Sequence, residues 1–188
     1  MAQYNGYRIV PHATYQQFRD ATLGSGWNVD YYAQNQCWDL AALAYFQYGL
    51  SLITRPGGYG TAADCWNVSR AANSKTPFIS LTGKEKVRRG DILVWNSNQF
   101  STTGHIAFAD ENYNGTNEIN CLGQNQGQGT AGPANIATLN FSNFLGIFRN
   151  TKWDATPPTP PTPPTPTEDS KKKQFPWPVA WHYWYKGN

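Results

Sequence analysis

From Ala155 to Thr167 the chain is almost entirely proline and threonine, with Pro157-Pro158-Thr159-Pro160-Pro161-Thr162-Pro163-Pro164 at its centre. Proline lacks a backbone N–H, and neither residue offers a large apolar side chain to bury. The run reads as an extended polyproline-type spacer rising roughly 3.1 Å per residue. Any packed core must therefore precede it. Three segments follow: a domain over 1–153, a Pro/Thr-rich and charged linker over 154–173, and an aromatic tail over 174–188. The tail, centred on Phe175-Pro176-Trp177-Pro178-Val179-Ala180-Trp181-His182-Tyr183-Trp184-Tyr185, is too short to fold alone. It reads as a docking peptide or as part of an incomplete binding module.

The chain has 188 residues, enough for one good domain and something smaller. A net charge of +3 suits an anionic polymer surface, but no basic stripe is present, which argues against nucleic acid. No stretch approaches the ~20 apolar residues of a membrane span. The N-terminus Met1-Ala2-Gln3-Tyr4-Asn5-Gly6-Tyr7-Arg8 does not have the form of a signal peptide. Action outside a cell would then require release by another agent. The three cysteines are far apart and form no CxxC pair, so neither a zinc site nor a disulfide framework is indicated. With 8 Trp and 11 Tyr the chain is rich in aromatics, some for the core and some for stacking on sugars or extended polymers.

Residues 1–10 read as an arm, and Pro11 to Leu23 as a helix closed by Gly24. The polar, turn-prone stretch from Asn28 to Gln36 runs into apolar Ala41-Ala42-Leu43-Ala44-Tyr45-Phe46, predicting a helix that starts near Cys37 and ends by Gly49. Pro56 to Gly60 reads as a loop, and Thr61 to Asn73 as a short helix. Strands are predicted at Ile92–Trp95, Gly104–Ala109, Glu118–Asn125 and Phe141–Arg149, with an Asn-Gly turn at Tyr113–Thr116. Helices first and strands after predict an α+β fold, with N-terminal helices packed on an antiparallel sheet.

A cysteine at a helix N-terminus meets free backbone N–H groups and the helix dipole, which favour a thiolate. Such a nucleophile needs an imidazole, and the imidazole needs a third group to hold its tautomer. Of the three histidines, His12 lies in the first helix and His182 beyond the spacer, whereas His105 opens a strand after a glycine. Cys37 and His105 are therefore the expected pair. On a strand from Glu118 to Asn125, Cys121, Gly123 and Asn125 share one face. Asn125 is the polar group there and the expected third member; the other reading makes it part of a polar turn with Gln124, Gln126 and Gly127. Cys65 and Cys121 read as core.

Gln36-Cys37-Trp38-Asp39, Arg89-Gly90-Asp91-Ile92-Leu93-Val94-Trp95, Gly104-His105-Ile106-Ala107 and Gln124-Asn125, in that order and spacing, resemble a CHAP domain. This is the cysteine, histidine-dependent amidohydrolase/peptidase family of phage endolysins and bacterial wall hydrolases. The closing Phe144 to Arg149 is similar to the family's last strand. The resemblance covers residues 10–150 and implies a papain-like fold and a peptidoglycan substrate. It also implies a hydrolase cutting either the sugar–peptide amide or bonds of the peptide stem and cross-bridge. Many phage relatives carry Glu where this chain has Gly123, so Asn125, or a water, is left to orient the histidine. By analogy Gln36 and the Cys37 N–H serve the oxyanion; for Gln36 a helix-cap contact is the other reading.

The loop alternates oxygen donors in the manner of a calcium loop. The resemblance implies a structural Ca²⁺ held by side chains of Asn28, Asp30 and Asp39 and by the carbonyls of Tyr32 and Gln34. The alternative is that Asn28 and Asp30 only cap the helix. Two settings fit an active enzyme. One is a lysis endolysin, kept in the host cytoplasm until a holin-type pore releases it; the other is a lysin carried on the virion, with the tail docking it to a phage tail particle. The competing class is a non-catalytic module that keeps the fold and binds wall polymer, or serves as a virion structural part.

Overall fold

The computed structural model describes residues 3–4, 7–8, 11–52, 60–72, 76–129 and 131–153, all within one compact unit, Met1–Ala155. The linker and aromatic tail, all but Gly60 of the predicted loop over 56–60 and most of the N-terminal arm lie outside the described residues.

A short ribbon, β1 (Gln3–Tyr4) with β2 (Tyr7–Arg8), precedes α1 (Tyr15–Thr22). Thr14 caps this helix: its Oγ1 accepts the Gln17 N–H at 3.2 Å, so the chain turns helical at Tyr15 rather than at the predicted Pro11. Next come α2 (Cys37–Phe46) and α3 (Ala62–Ala72). The strands β3 (Phe78–Leu81), β4 (Ile92–Trp95), β5 (His105–Ala109), β6 (Glu118–Gly123), β7 (Asn135–Asn140) and β8 (Phe144–Asn150) follow. They form a six-stranded sheet in the order β3-β8-β4-β5-β6-β7, with every pairing antiparallel.

Every residue of α2 from Asp39 to Phe46 is buried. A helix apolar on all sides belongs in the centre of a fold, and Ala41, Ala42 and Ala44 let it lie close to the sheet. It packs with Ile106 and Phe108 of β5 and Leu122 of β6 in one core cluster. The other sheet face carries a second cluster, with Leu93, Trp95, Ala107, Cys121 and Leu139. Much of the aromatic surplus is spent here: Tyr45 stacks on Phe78 at 3.8 Å, and Trp66 on Phe148 at 5.0 Å. Cys65 and Cys121 are buried, as expected for core thiols. Arg149 forms a bidentate pair with Asp91, at 2.8 Å for both contacts, tying β8 to the turn before β4. Breaking such a buried pair from one side costs roughly 3–5 kcal/mol.

Two strands of the six-stranded sheet escape the sequence reading, as does the β1–β2 ribbon within the predicted arm. β7 has little alternation to reveal it, since only Leu139 is buried. β3 is four residues long. One predicted strand also runs too far: β6 stops at Gly123, and the chain then turns, with Asn125 in the left-handed region at φ 54°.

Candidate active site

The N-terminus of α2, the segment 60–62 and the start of β5 enclose a cleft of about 320 Å³ lined by Asp30, Tyr32, Gln36, Cys37, Gly104 and Ile106, among others. Cys37 is half-buried at its wall. The backbone amides of Ile106 and Trp38 lie close enough to favour charge on the sulfur. The nucleophile candidate thus sits against the residue that follows His105.

Burial nevertheless dominates. Desolvation raises the Cys37 thiol above its ordinary value, Asp39 adds to the rise, and the backbone N–H groups offset only part of it. The expected thiolate is therefore corrected to a neutral thiol at rest: the free N–H groups are present, but the cleft wall disfavours charge more strongly.

His105 opens β5, opposite Trp95 of β4, and is 1% exposed. Gly104 brings it there. With φ at +95°, Gly104 has its Cα so near the neighbouring chain that a Cβ would fall 2.6 Å from the Trp95 carbonyl oxygen. The ring lies among Trp95 and Phe100, with centroids 6.3 and 6.2 Å away. Burial pushes the imidazole down to about 4. Its Nε2 lies 3.0 Å from the Gln126 Oε1. The ring is bonded to Gln126, and no hydrogen bond joins it to the Cys37 thiol among the described residues; in free enzymes catalytic hydrogen bonds are often completed only with substrate.

Asn125 does not reach the histidine. The strand ends before it, so the shared-face argument fails. Its Nδ2 donates to the Gln36 Oε1 at 3.0 Å, and its Oδ1 accepts the Ala131 N–H at 2.9 Å. Gln36 is held by this bond and donates its own Nε2 to the Ala33 carbonyl. Gln36 also lines the cleft, and its amide nitrogen carries a second N–H.

The sequence reading missed the two glutamines flanking Asn125, both fully buried. Gln124 accepts the Trp27 N–H at 2.7 Å and donates to the carbonyls of Trp27 at 3.0 Å and Gln36 at 2.9 Å. It clamps the α2 entry to the end of β6. Gln126 donates to the carbonyls of Cys121 at 3.0 Å and Asn135 at 2.9 Å while facing His105. The only signal for either was the density of amides after β6.

In the loop before α2, Asp39 accepts the Val29 N–H at 2.8 Å and the Gln36 N–H at 2.7 Å, and Asp30 accepts the Tyr32 N–H at 2.9 Å. Both carboxylates therefore brace the loop. Burial raises Asp39 to about 6, and the charge of Asp30 adds to the rise. Tyr31, Ala33 and Gln34 all have positive φ, so the loop is tightly curled. Among the described residues no group of three or more His, Cys, Asp or Glu side chains gathers for a metal. An ion here would have to rely on amide and carbonyl oxygens as well.

The fold and these motifs agree with what the chain is similar to. The crystal structure of a wild type endolysin, LysIME-EF1, superposes with a TM-score of 0.56 at 18% identity, covering 74% of this chain and 65% of that one. The crystal structure of Ly7917 superposes with a TM-score of 0.52 at 15% identity, covering 73% and 61%. This chain thus spans somewhat less than two thirds of each of those two chains. No curated protein matches its sequence. The family model of the CHAP domain matches residues 26–125, from the turn before α2 to the amide run after β6, which is more than half of the chain. The chain belongs to the CHAP domain family.

Proposed function

We propose that this protein hydrolyses an amide bond in peptidoglycan, with Cys37 as nucleophile and His105 as base and acid. The observation that carries the reading is Cys37 on the wall of a cleft, its sulfur against the backbone of β5 one residue from His105. Family membership supports the substrate class, and one structural relative is described as an endolysin.

A thiol and an imidazole, both held neutral by burial, set the chemistry. His105 takes the thiol proton as the sulfur attacks the carbonyl carbon. The oxyanion is met by a backbone N–H at the start of α2 and by the Gln36 amide. As the C–N bond breaks, the imidazolium gives its proton to the departing amine, leaving a thioester. Water, deprotonated by His105, attacks that thioester, and the thiolate leaves and is reprotonated. Asn125 acts in this scheme by holding Gln36.

The calcium expectation stands as part of the proposal. The donors are all oxygens, and two carboxylates, with Asp30 near enough to raise the proton affinity of Asp39, suit a hard divalent cation. Asn28, Asp30 and Asp39 would hold it with the carbonyls of Tyr32 and Gln34. It would supply charge to fix the loop in front of the cleft.

We also carry forward the biological setting: a lysin reaching the wall through a holin-type pore or on a virion. Among the described residues, no helix is long and apolar enough to cross a membrane. The non-catalytic alternative drew on Gly123, and Gln126 now occupies that position beside His105. Digestion of purified peptidoglycan, followed by free-amine assay and fragment mass, tests the reading. New amines with masses of either peptide-free glycan or cut stems support it and tell amidase from endopeptidase. Intact wall after long incubation contradicts it.

A further inference from the structure

The His105 ring is held by a carboxamide from outside the predicted triad. We propose that Gln126 is the positioning residue for His105, fixing the Nε2–H tautomer and so leaving the Nδ1 lone pair to receive a proton. That the proton comes from the Cys37 thiol rests on the function proposed above; the tautomer does not.

The orientation of the Gln126 amide is settled by its own bonds. Both hydrogens of its Nε2 are taken by carbonyl oxygens, Cys121 at 3.0 Å and Asn135 at 2.9 Å. Turning the amide over would set its oxygen against those two oxygens. The atom left facing the ring at 3.0 Å is Oε1, which can only accept. The ring nitrogen opposite it must therefore carry the hydrogen, and its other nitrogen the lone pair. Gln126 is wholly buried and His105 nearly so, which keeps water from exchanging with the amide. The Asn135 Nδ2 in turn donates to the Gln126 carbonyl at 3.0 Å, so backbone and side chain are both anchored.

Room for this amide comes from Gly123. A Cβ at that position would fall 2.4 Å from the Gln126 Oε1 and 2.8 Å from its Cδ. The glycine and the glutamine are thus two halves of one arrangement: a side chain at 123 and the amide of 126 cannot share the space. A neutral amide orients the ring without a negative charge to hold it protonated. That suits a base that is neutral at rest and passes its proton on.

The test is long-range ¹H–¹⁵N NMR of the full chain carrying ¹⁵N-labelled histidine, with His105 signals assigned by their loss in His105→Ala. The expected result near neutral pH is a protonated Nε2 and an unprotonated Nδ1. A protonated Nδ1 in the wild type overturns the proposal, and this needs no variant to fold. In Gln126→Ala the ring should become a mixture of tautomers, and kcat on peptidoglycan should drop on the order of tenfold or more with KM little changed. A pure Nε2–H ring in folded Gln126→Ala also overturns it. In Gln126→Glu the carboxylate should raise the pH at which the ring protonates and shift the acid limb of the pH–rate profile the same way; an unmoved profile counts against the positioning role. Gly123→Glu with Gln126→Ala should recover the Nε2–H state that Gln126→Ala alone loses. A wild type that never cuts wall refutes the proposed function, whereas the tautomer alone decides this inference.

Discussion

Gln124 donates its side-chain Nε2 to the carbonyl of Gln36 across 2.9 Å, joining residues 88 positions apart in the chain. Gln36 is the N-cap of the helix that begins with Cys37. The placement of Cys37, the proposed nucleophile, therefore depends on the residue just after β6, through an amide that also brackets Trp27.

Replacing Gln124 by Ala should expose this dependence. It strips partners from the Trp27 N–H and from two carbonyls, and each buried group left unsatisfied costs about 1–3 kcal/mol. Urea denaturation should show a loss of about 3 kcal/mol or more, with activity falling in the fraction that stays folded. A loss within about 0.5 kcal/mol, the range of ordinary surface changes, would mean the clamp is idle.

Gly104→Ala should be severe for its size. A Cβ there meets the Trp95 carbonyl oxygen at 2.6 Å and the Ala62 Cβ at 2.7 Å, and φ lies at +95°. Strain and clash together should cost roughly 2 kcal/mol or more and displace His105. Thermal unfolding measures the first, and loss of wall hydrolysis the second. Unchanged stability and rate would show that the strand start is not so constrained.

Acid should weaken the fold through His105. Burial sets its folded value near 4, below the 6.5 it has when exposed, so the unfolded chain binds the proton first. The stability tied to a neutral ring is complete above 6.5 and is lost as pH falls through about 4. The gap corresponds to about 3 kcal/mol. Asp39 acts in the opposite sense: its folded value is raised from 3.8 to about 6, so its contribution is full below 3.8 and lost as pH rises through about 6. Comparing wild type with His105→Gln cancels the Asp39 effect. Urea denaturation from neutral pH to below pH 4 should show the wild type losing about 3 kcal/mol more than the variant. Parallel curves would place the ring in water.

Calcium should raise the melting temperature near neutral pH, and less near pH 5, where the Asp39 proton competes with the ion. Asp30→Ala should lose most of the gain while retaining the fold. A melting temperature indifferent to calcium and to chelator at both pH values would leave Asp30 and Asp39 as loop braces alone.

Element order and the helix carrying Cys37 were legible because α2 is a long apolar run with turn residues on either side, and because Ile92–Trp95 and His105–Ala109 are unbroken apolar strands. β7 was not, since Asn135, Thr138 and Asn140 interrupt it and Leu139 is its one buried apolar residue. Cys37 and His105 were the pair that elimination among few residues of the right chemistry could propose, and the structure sets Cys37 on the cleft wall and His105 at the start of β5. The roles within Gln124-Asn125-Gln126 could not. They depend on where β6 stops, and a left-handed Asn125 sends the first two amides to the backbone and the side chain of Gln36 and the third to His105. The thiol's charge state was misjudged because free helix N–H groups are visible in a sequence, whereas the desolvation that outweighs them is a property of the packed cleft.

Amine release from purified peptidoglycan by wild type, Cys37→Ala and His105→Ala, each checked for native folding by circular dichroism, tests the central claim most directly. The account predicts steady release by the wild type and none above background for either variant, since each removes a group the thioester route requires. Release by folded Cys37→Ala at the wild-type rate would contradict it, because no thioester can form without that sulfur.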